Sequence, residues 1–96
     1  MLQAGFDPKM YRDDPPLGAW EAKLDQLVYS KSSKIGIHVY LTDQAGERFW
    51  FFARWLGGSP VHFFFKENVQ PGDQIMVEVH QSKRSGKPYI KSVAKV

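Results

Sequence analysis

The segment ERFWFFARW, from Glu47 to Trp55, places four aromatic rings between Arg48 and Arg54. Aromatic side chains stack on the unpaired bases of single-stranded nucleic acid, and arginines contact its phosphates. Alternate residues of a β-strand face opposite sides of a sheet, so in a strand these rings divide between two surfaces. The segment therefore predicts a contribution to the core and a surface suited to stacking and ion pairing.

The turn DQAG determines how this segment pairs with the strand before it. Asp43 suits the first position of a type I turn, and Gly46 can take the left-handed conformation of a three-residue hairpin loop. With Asp43 opposite Glu47, one side pairs Leu41 with Phe49, Val39 with Phe51, Ile37 with Ala53 and Ile35 with Trp55. The other side pairs Thr42 with Arg48, Tyr40 with Trp50, His38 with Phe52 and Gly36 with Arg54. We name six residues of this second side the aromatic face: His38, Tyr40, Arg48, Trp50, Phe52 and Arg54.

The aromatic face needs a cover, because burying a large apolar side chain is worth roughly 1.5 to 3 kcal/mol. Unpaired bases would supply one, since stacking a base on an aromatic ring contributes on the order of 1 to 3 kcal/mol. The sequence is also compatible with other covers of the aromatic face: the N-terminal arm, the VHFFF segment, a second subunit or a stacked sugar.

Two loops combine serine with cations. The loop SKSSK, residues 30–34, contains Lys31 and Lys34, and the loop SKRSGK, residues 82–87, contains Lys83, Arg84 and Lys87. Such loops suit phosphate contacts that need no fixed geometry, although each alone is also typical of a solvated hairpin tip.

The rest of the pattern predicts an all-β domain. The segment from Trp20 to Ser30 fits both helical and strand spacing, and we predict a strand with a bulge near Asp25. Alternation predicts that the next-to-last strand buries Ile75, Val77 and Val79 and that the last buries Ile90, Ala94 and Val96. Five or six strands would close into a small barrel, because closure removes exposed edges.

The chain divides into two parts. Residues 1–19 are proline-rich and predict an extended N-terminal arm that Phe6, Met10 and Tyr11 could anchor, and residues 20–96 form the domain. Residues 1–30 carry three bases and five acids, a net charge of −2, whereas residues 31–96 carry ten and five, a net charge of +5. The domain is therefore basic, and a basic surface attracts polyanions.

The composition argues against several kinds of site. Without cysteine the chain has no disulfide, thiolate metal site or thiol nucleophile, and it is compatible with the reducing cytoplasm. The three histidines, His38, His62 and His80, show neither metal-ligand spacing nor a catalytic motif. No apolar run approaches roughly 20 residues, so no membrane association is expected. We expect a non-catalytic protein that needs no cofactor or metal.

From about Ala22 to Val96 the chain resembles the OB-fold single-stranded nucleic-acid-binding proteins. The resemblance lies in the order of a strand, a Ser/Lys loop, an aromatic hairpin, the turn QPGDQIMVEV, a basic loop and the closing strand KPYIKSVAKV. It departs at GGSPVHFFFKENVQ, which we predict to be extended or irregular where the family often has a helix.

In that family the ligand lies across the second and third strands, between the first and last hairpin loops. The resemblance therefore implies a five-stranded OB-like barrel that binds single-stranded DNA, favoured over RNA. It implicates Tyr40, Trp50, Phe52, Arg48 and Arg54 on the strands, Lys31, Lys34, Lys83, Arg84 and Lys87 in the loops, and Tyr89 at the rim. The alternative is a protein-interaction or assembly module in which the aromatic face or the arm binds a second copy or another protein.

Overall fold

The computed structural model describes residues 7–29, 36–54 and 68–96, which form a five-stranded antiparallel sheet. A short 3-10 turn, Pro8–Met10, precedes strands β1 (Gly18–Tyr29), β2 (Gly36–Asp43), β3 (Arg48–Arg54), β4 (Gln74–Gln81) and β5 (Pro88–Lys95). Their order across the sheet is β3-β2-β1-β4-β5. The predicted all-β fold is confirmed. Within the described ranges, no helix has the length and apolar character needed to span a membrane.

The central strand β1 is shared by two halves of the sheet. Its first half pairs with β4 and its second half pairs with β2. The predicted bulge is confirmed, because the β1–β2 register shifts between Leu24 and Gln26 and leaves Asp25 as the extra residue. A bulge bends its strand and increases the local twist, which suits a strand that serves both halves of a curled sheet.

The two edge strands, β3 and β5, lie beside each other. No hydrogen-bonded ladder joins them within the described residues, so the sheet there is curled but not closed, in contrast to the predicted closure into a barrel. An OB-fold is itself a partly open five-stranded barrel, and the arrangement is OB-like. β1 begins at Gly18, two residues before the predicted start of this strand at Trp20, because Gly18 and Ala19 already pair with β4.

The β2–β3 hairpin has the predicted register over all its described pairs, from Gly36 opposite Arg54 to Thr42 opposite Arg48. This register turns one set of side chains into the core and the other set outward. The further predicted pair, Ile35 with Trp55, lies outside the described residues, as do the loop 30–34 and the segment 55–67.

The turn that closes this hairpin has the predicted form. The Asp43 amide donates to the Glu47 carbonyl at 2.8 Å, and the Gly46 amide donates to the Asp43 carbonyl at 3.1 Å. Gly46 has a φ of +88°, in the left-handed region that glycine enters without steric cost. The second predicted turn, around Pro71 and Gly72, is also confirmed, with Gly72 at a φ of +98°.

The core is built from the inward side chains of every strand. Its buried residues are Ala22, Leu24, Ile37, Val39, Leu41, Phe49, Phe51, Val69, Ile75, Val77, Val79, Ile90 and Val93. Trp20 and Leu27 pack against this core from its margin. The predicted inward alternation of β4 is therefore confirmed.

Strand β5 departs from its predicted burial. Ile90 is buried as expected, but Ala94 is exposed and Val96 is 72% exposed, while Val93 is buried instead. The cause is a second bulge, since the β4–β5 register shifts just after Ile90 and reverses the alternation of the residues that follow. The prediction that Ala94 and Val96 belong to the core is wrong.

The same substitution at a buried and at an exposed leucine tests this packing. Leu41 is 0% exposed on β2, whereas Leu17 is 57% exposed just before β1. We expect Leu41→Ala to lower the free energy of unfolding by about 2 to 5 kcal/mol because it leaves a cavity, and Leu17→Ala by less than about 0.5 kcal/mol. Urea unfolding followed by circular dichroism measures both values. Equal losses would contradict the inward orientation of Leu41.

Candidate nucleic-acid interface

One end of the aromatic face is an open cluster of three rings. The His38 ring centroid lies 5.8 Å from that of Trp50 and 5.1 Å from that of Phe52, with tilted planes in both pairs. Phe52 is 38% exposed, and His38 and Trp50 are half-buried. The three side chains therefore form one continuous aromatic surface, which we call the ring platform.

The other end of the aromatic face lies under the N-terminal arm. The Tyr11 ring packs on the Tyr40 ring edge to face, with centroids 5.1 Å apart and planes at 80°. Only 9% of Tyr40 is exposed. The N-terminal arm, one of the covers considered from the sequence, therefore covers Tyr40 but leaves Phe52 accessible.

The arm is also joined to the edge of β3 by its backbone. The Arg12 amide donates to the Arg48 carbonyl at 3.0 Å, and the Trp50 amide donates to the Arg12 carbonyl at 2.9 Å. These bonds form an isolated parallel bridge between Arg12 and Phe49. The Arg12 guanidinium lies 5.7 Å from the centroid of the Phe49 ring. The arm therefore fixes the β3 backbone beside the ring platform.

Asp25, the bulge residue of β1, holds the arm through its side chain. The Tyr11 hydroxyl donates to Asp25 Oδ2 at 2.8 Å, and the Thr42 hydroxyl donates to the same oxygen. Lys23 Nζ lies 3.7 Å from Asp25 Oδ1. This mostly buried carboxylate has a donor or a cation at each oxygen, as a charge removed from water requires.

These surroundings change the acidity of Tyr11. Burial, together with the hydrogen bond to Asp25 and its negative charge, raises the pKa of Tyr11 to about 12, and the positive charge of Arg48 acts in the opposite direction. Burial also raises the pKa of Tyr40. Both phenols therefore remain neutral at physiological pH, so Tyr11 acts as a hydrogen-bond donor.

The basic loop 82–87 connects β4 to β5 and exposes its three cations, Lys83, Arg84 and Lys87. The Ser82 hydroxyl oxygen accepts hydrogen bonds from the backbone amides of Arg84 and Ser85, at 3.2 and 3.3 Å. The serine that the sequence suggested for phosphate contacts thus shapes the loop itself. The side chains of the three cations are exposed to solvent.

Tyr89 lies at the start of β5, where 41% of it is exposed. Its ring faces that of His80 on β4, with centroids 6.2 Å apart, and His80 Nε2 contacts the carboxylate of Glu78. Tyr89 therefore lies at the rim of the β4–β5 half of the sheet, in contact with His80.

The structure brings together only part of the predicted site. His38, Trp50 and Phe52 are in contact, Arg48 is exposed at the arm end of the face, and the loop cations form a separate group. The side chain of Arg54 and both residues of the first loop, Lys31 and Lys34, lie outside the described set. The roles of Asp25 and Thr42 were not predicted from the sequence, although the predicted bulge was a signal for the first.

No protein-family model matches the chain, and no curated protein matches it either. Among the described residues, no group of three or more histidine, aspartate or glutamate side chains is arranged to hold a metal ion.

A titration of the tyrosines tests the Asp25 contact. We expect Asp25→Asn to lower the pKa of Tyr11 from about 12 towards its ordinary value of 10.0, since the substitution removes the negative charge but not the burial. The raised pKa means that the fold favours neutral Tyr11, so this contribution to stability is present below pH 10.0 and is lost as pH rises through about 12.

Ultraviolet absorbance of tyrosinate measures the change, and Tyr11→Phe assigns it. Asp14→Asn is the matched control, because Asp14 is an arm carboxylate that pairs with Arg12 at 2.7 Å. Superimposable titrations of Asp25→Asn and the unsubstituted protein would rule out the contact.

Proposed function

We propose that the protein is a non-catalytic binder of single-stranded nucleic acid, with DNA favoured over RNA. The observation that carries this proposal is the ring platform, in which Phe52 is 38% exposed beside His38 and Trp50. Bases would stack on these rings, and exposed cations would contact phosphates, a combination that is tolerant of sequence. The absence of cysteine fits a reducing compartment, so we place the protein in the cytoplasm.

Energy and charge both support this ligand. The exposed rings forgo part of the burial energy available to them, and stacked bases would restore it at about 1 to 3 kcal/mol per base. Arg48 is exposed on the aromatic face, and Lys83, Arg84 and Lys87 are exposed on the basic loop. Such cations attract a polyanion, and their contacts weaken as salt rises.

The principal alternative is that the ring platform is an interface with a second copy or another protein. The two functions differ in charge dependence, because an interface made of rings is largely insensitive to salt, whereas phosphate contacts are not. Size-exclusion mass and titration with oligo(dT) and oligo(U) separate them. A monomer that binds these oligomers supports our proposal, and a dimer that ignores them supports the alternative.

Trp50→Ala is the most direct test of stacking. We expect it to weaken binding of labelled oligo(dT) by about five- to 150-fold, equivalent to about 1 to 3 kcal/mol, and to leave the fold intact because Trp50 is only half-buried. Fluorescence anisotropy measures the affinity and circular dichroism the fold.

Two controls accompany this variant. Trp50→Phe keeps a ring and should retain most of the affinity, and Leu17→Ala removes an exposed apolar side chain outside the ring platform and should retain all of it. Unchanged binding by Trp50→Ala, or its unfolding, would remove the main support for the proposal.

The salt dependence of binding tests the basic loop. For single strands, the slope of log affinity against log salt is about −0.7 for each phosphate neutralised. Lys87→Gln should make this slope shallower by about 0.7, because the side chain is exposed on the loop. Lys91→Gln removes an exposed cation of β5 outside the loop and should leave the slope unchanged. A slope for Lys87→Gln equal to that of the unsubstituted protein would exclude a phosphate contact at Lys87.

A further inference from the structure

The N-terminal arm covers one ring of the aromatic face. Its Tyr11 ring rests on Tyr40, the outward ring of β2 that pairs across the hairpin with Trp50. The ring platform begins at Trp50 and continues through His38 to Phe52. Tyr11 thus occupies the position where a strand stacked along the platform would place its next base.

The net charge of the arm also disfavours a bound strand at the Tyr40 end of the aromatic face. Residues 7–14 contain three acids, Asp7, Asp13 and Asp14, and two bases, Lys9 and Arg12, a net charge of −1. Arg12 is engaged by Asp14 at 2.7 Å and by Glu47 at 3.9 Å. Phosphates approaching the Tyr40 end would therefore meet carboxylates of the arm as well as the exposed cation of Arg48.

The attachment of the arm is local and can open without unfolding the sheet. Its contacts include an isolated bridge at Arg12, the ring contact with Tyr40 and the hydrogen bond to Asp25. No residue from Asp7 to Asp14 is buried, whereas the next residue, Pro15, is, so the part that can open ends before Pro15. Segments held by few contacts open at a low free-energy cost relative to global unfolding.

We propose that Tyr11 determines the length of single strand that the protein accepts, an inference that rests on the proposed function. With the arm in place, bases stack on Trp50 and Phe52, and the position on Tyr40 is closed. A longer strand gains the Tyr40 position only by displacing Tyr11. Tyr11 is therefore a specificity-determining residue that competes with the ligand inside the same chain.

The test compares thymidine oligomers of two to eight nucleotides on the full chain. The affinity of the unsubstituted protein should stop rising once the ring platform is filled. Tyr11→Ala should leave the affinity for the shortest oligomers unchanged and raise that for the longer ones by about five- to 150-fold, the effect of one further stacked base. Tyr11→Phe removes the hydroxyl that donates to Asp25 but keeps the ring, and it should give a smaller gain.

Two further variants make the result specific. Met10→Ala changes the neighbouring arm residue, which is exposed, and should behave as the unsubstituted protein. The double variant Tyr11→Ala/Tyr40→Ala should lose the gain in affinity for longer oligomers, because it lacks the Tyr40 ring on which the extra base would stack. In a double-mutant cycle, that loss identifies Tyr40 as the residue coupled to Tyr11.

Hydrogen exchange of the Trp50 amide reports arm displacement directly, because that amide donates to the Arg12 carbonyl. Long oligomers should accelerate this exchange and short ones should not.

The inference is overturned if Tyr11→Ala and Tyr11→Phe bind every length as the unsubstituted protein does, or if the gain persists without Tyr40. If no variant binds any oligomer, both the inference and the proposed function fail. If oligomers bind but Tyr11 has no effect on the preferred length, only the inference fails.

Discussion

The turn between β2 and β3 is the constraint on which both the core and the candidate site depend. Asp43 Oδ1 accepts the amides of Ala45 at 2.9 Å and Glu47 at 2.8 Å, and Gly46 supplies the left-handed residue. Because side chains alternate with a period of two, a slip of one residue would exchange the inward and outward rings of β3. One short turn thus decides that Phe51 stabilises the core while Phe52 faces outward.

The bulge at Asp25 adds a second constraint, which joins the arm to this hairpin. It places a mostly buried carboxylate where two hydroxyl groups, those of Tyr11 and Thr42, can donate to it. Loss of the Tyr11 donor would weaken the stabilisation of this charge, but the Thr42 hydroxyl and Lys23 would still contact it. The arm is therefore held at a defined position by β1, through a contact that can open without leaving the carboxylate unpaired.

Local chemistry explains which features the sequence could predict. The hairpin register follows from neighbouring residues, since a turn signature and a long apolar alternation agree there. The bulge in β1 was predictable because apolar residues on both sides of Asp25 reveal the change of phase. The closing strand has few apolar residues, so Val93 could not be told from Ala94 as its inward member. The contact of Tyr11 with Asp25 depends on tertiary geometry that no local pattern encodes.

The aromatic face combines a closed and an open half, and the difference between them bears on its role. Tyr40 is covered by a residue of the same chain, whereas Phe52, two strand positions beyond Trp50, is not. A face required only for stability would gain from burial of every ring, because each exposed ring forgoes transfer free energy. The arm covers Tyr40 with the Tyr11 ring, whereas Phe52 stays 38% exposed. The exposed ring is therefore a cost to the isolated chain, which a partner stacked on it would offset.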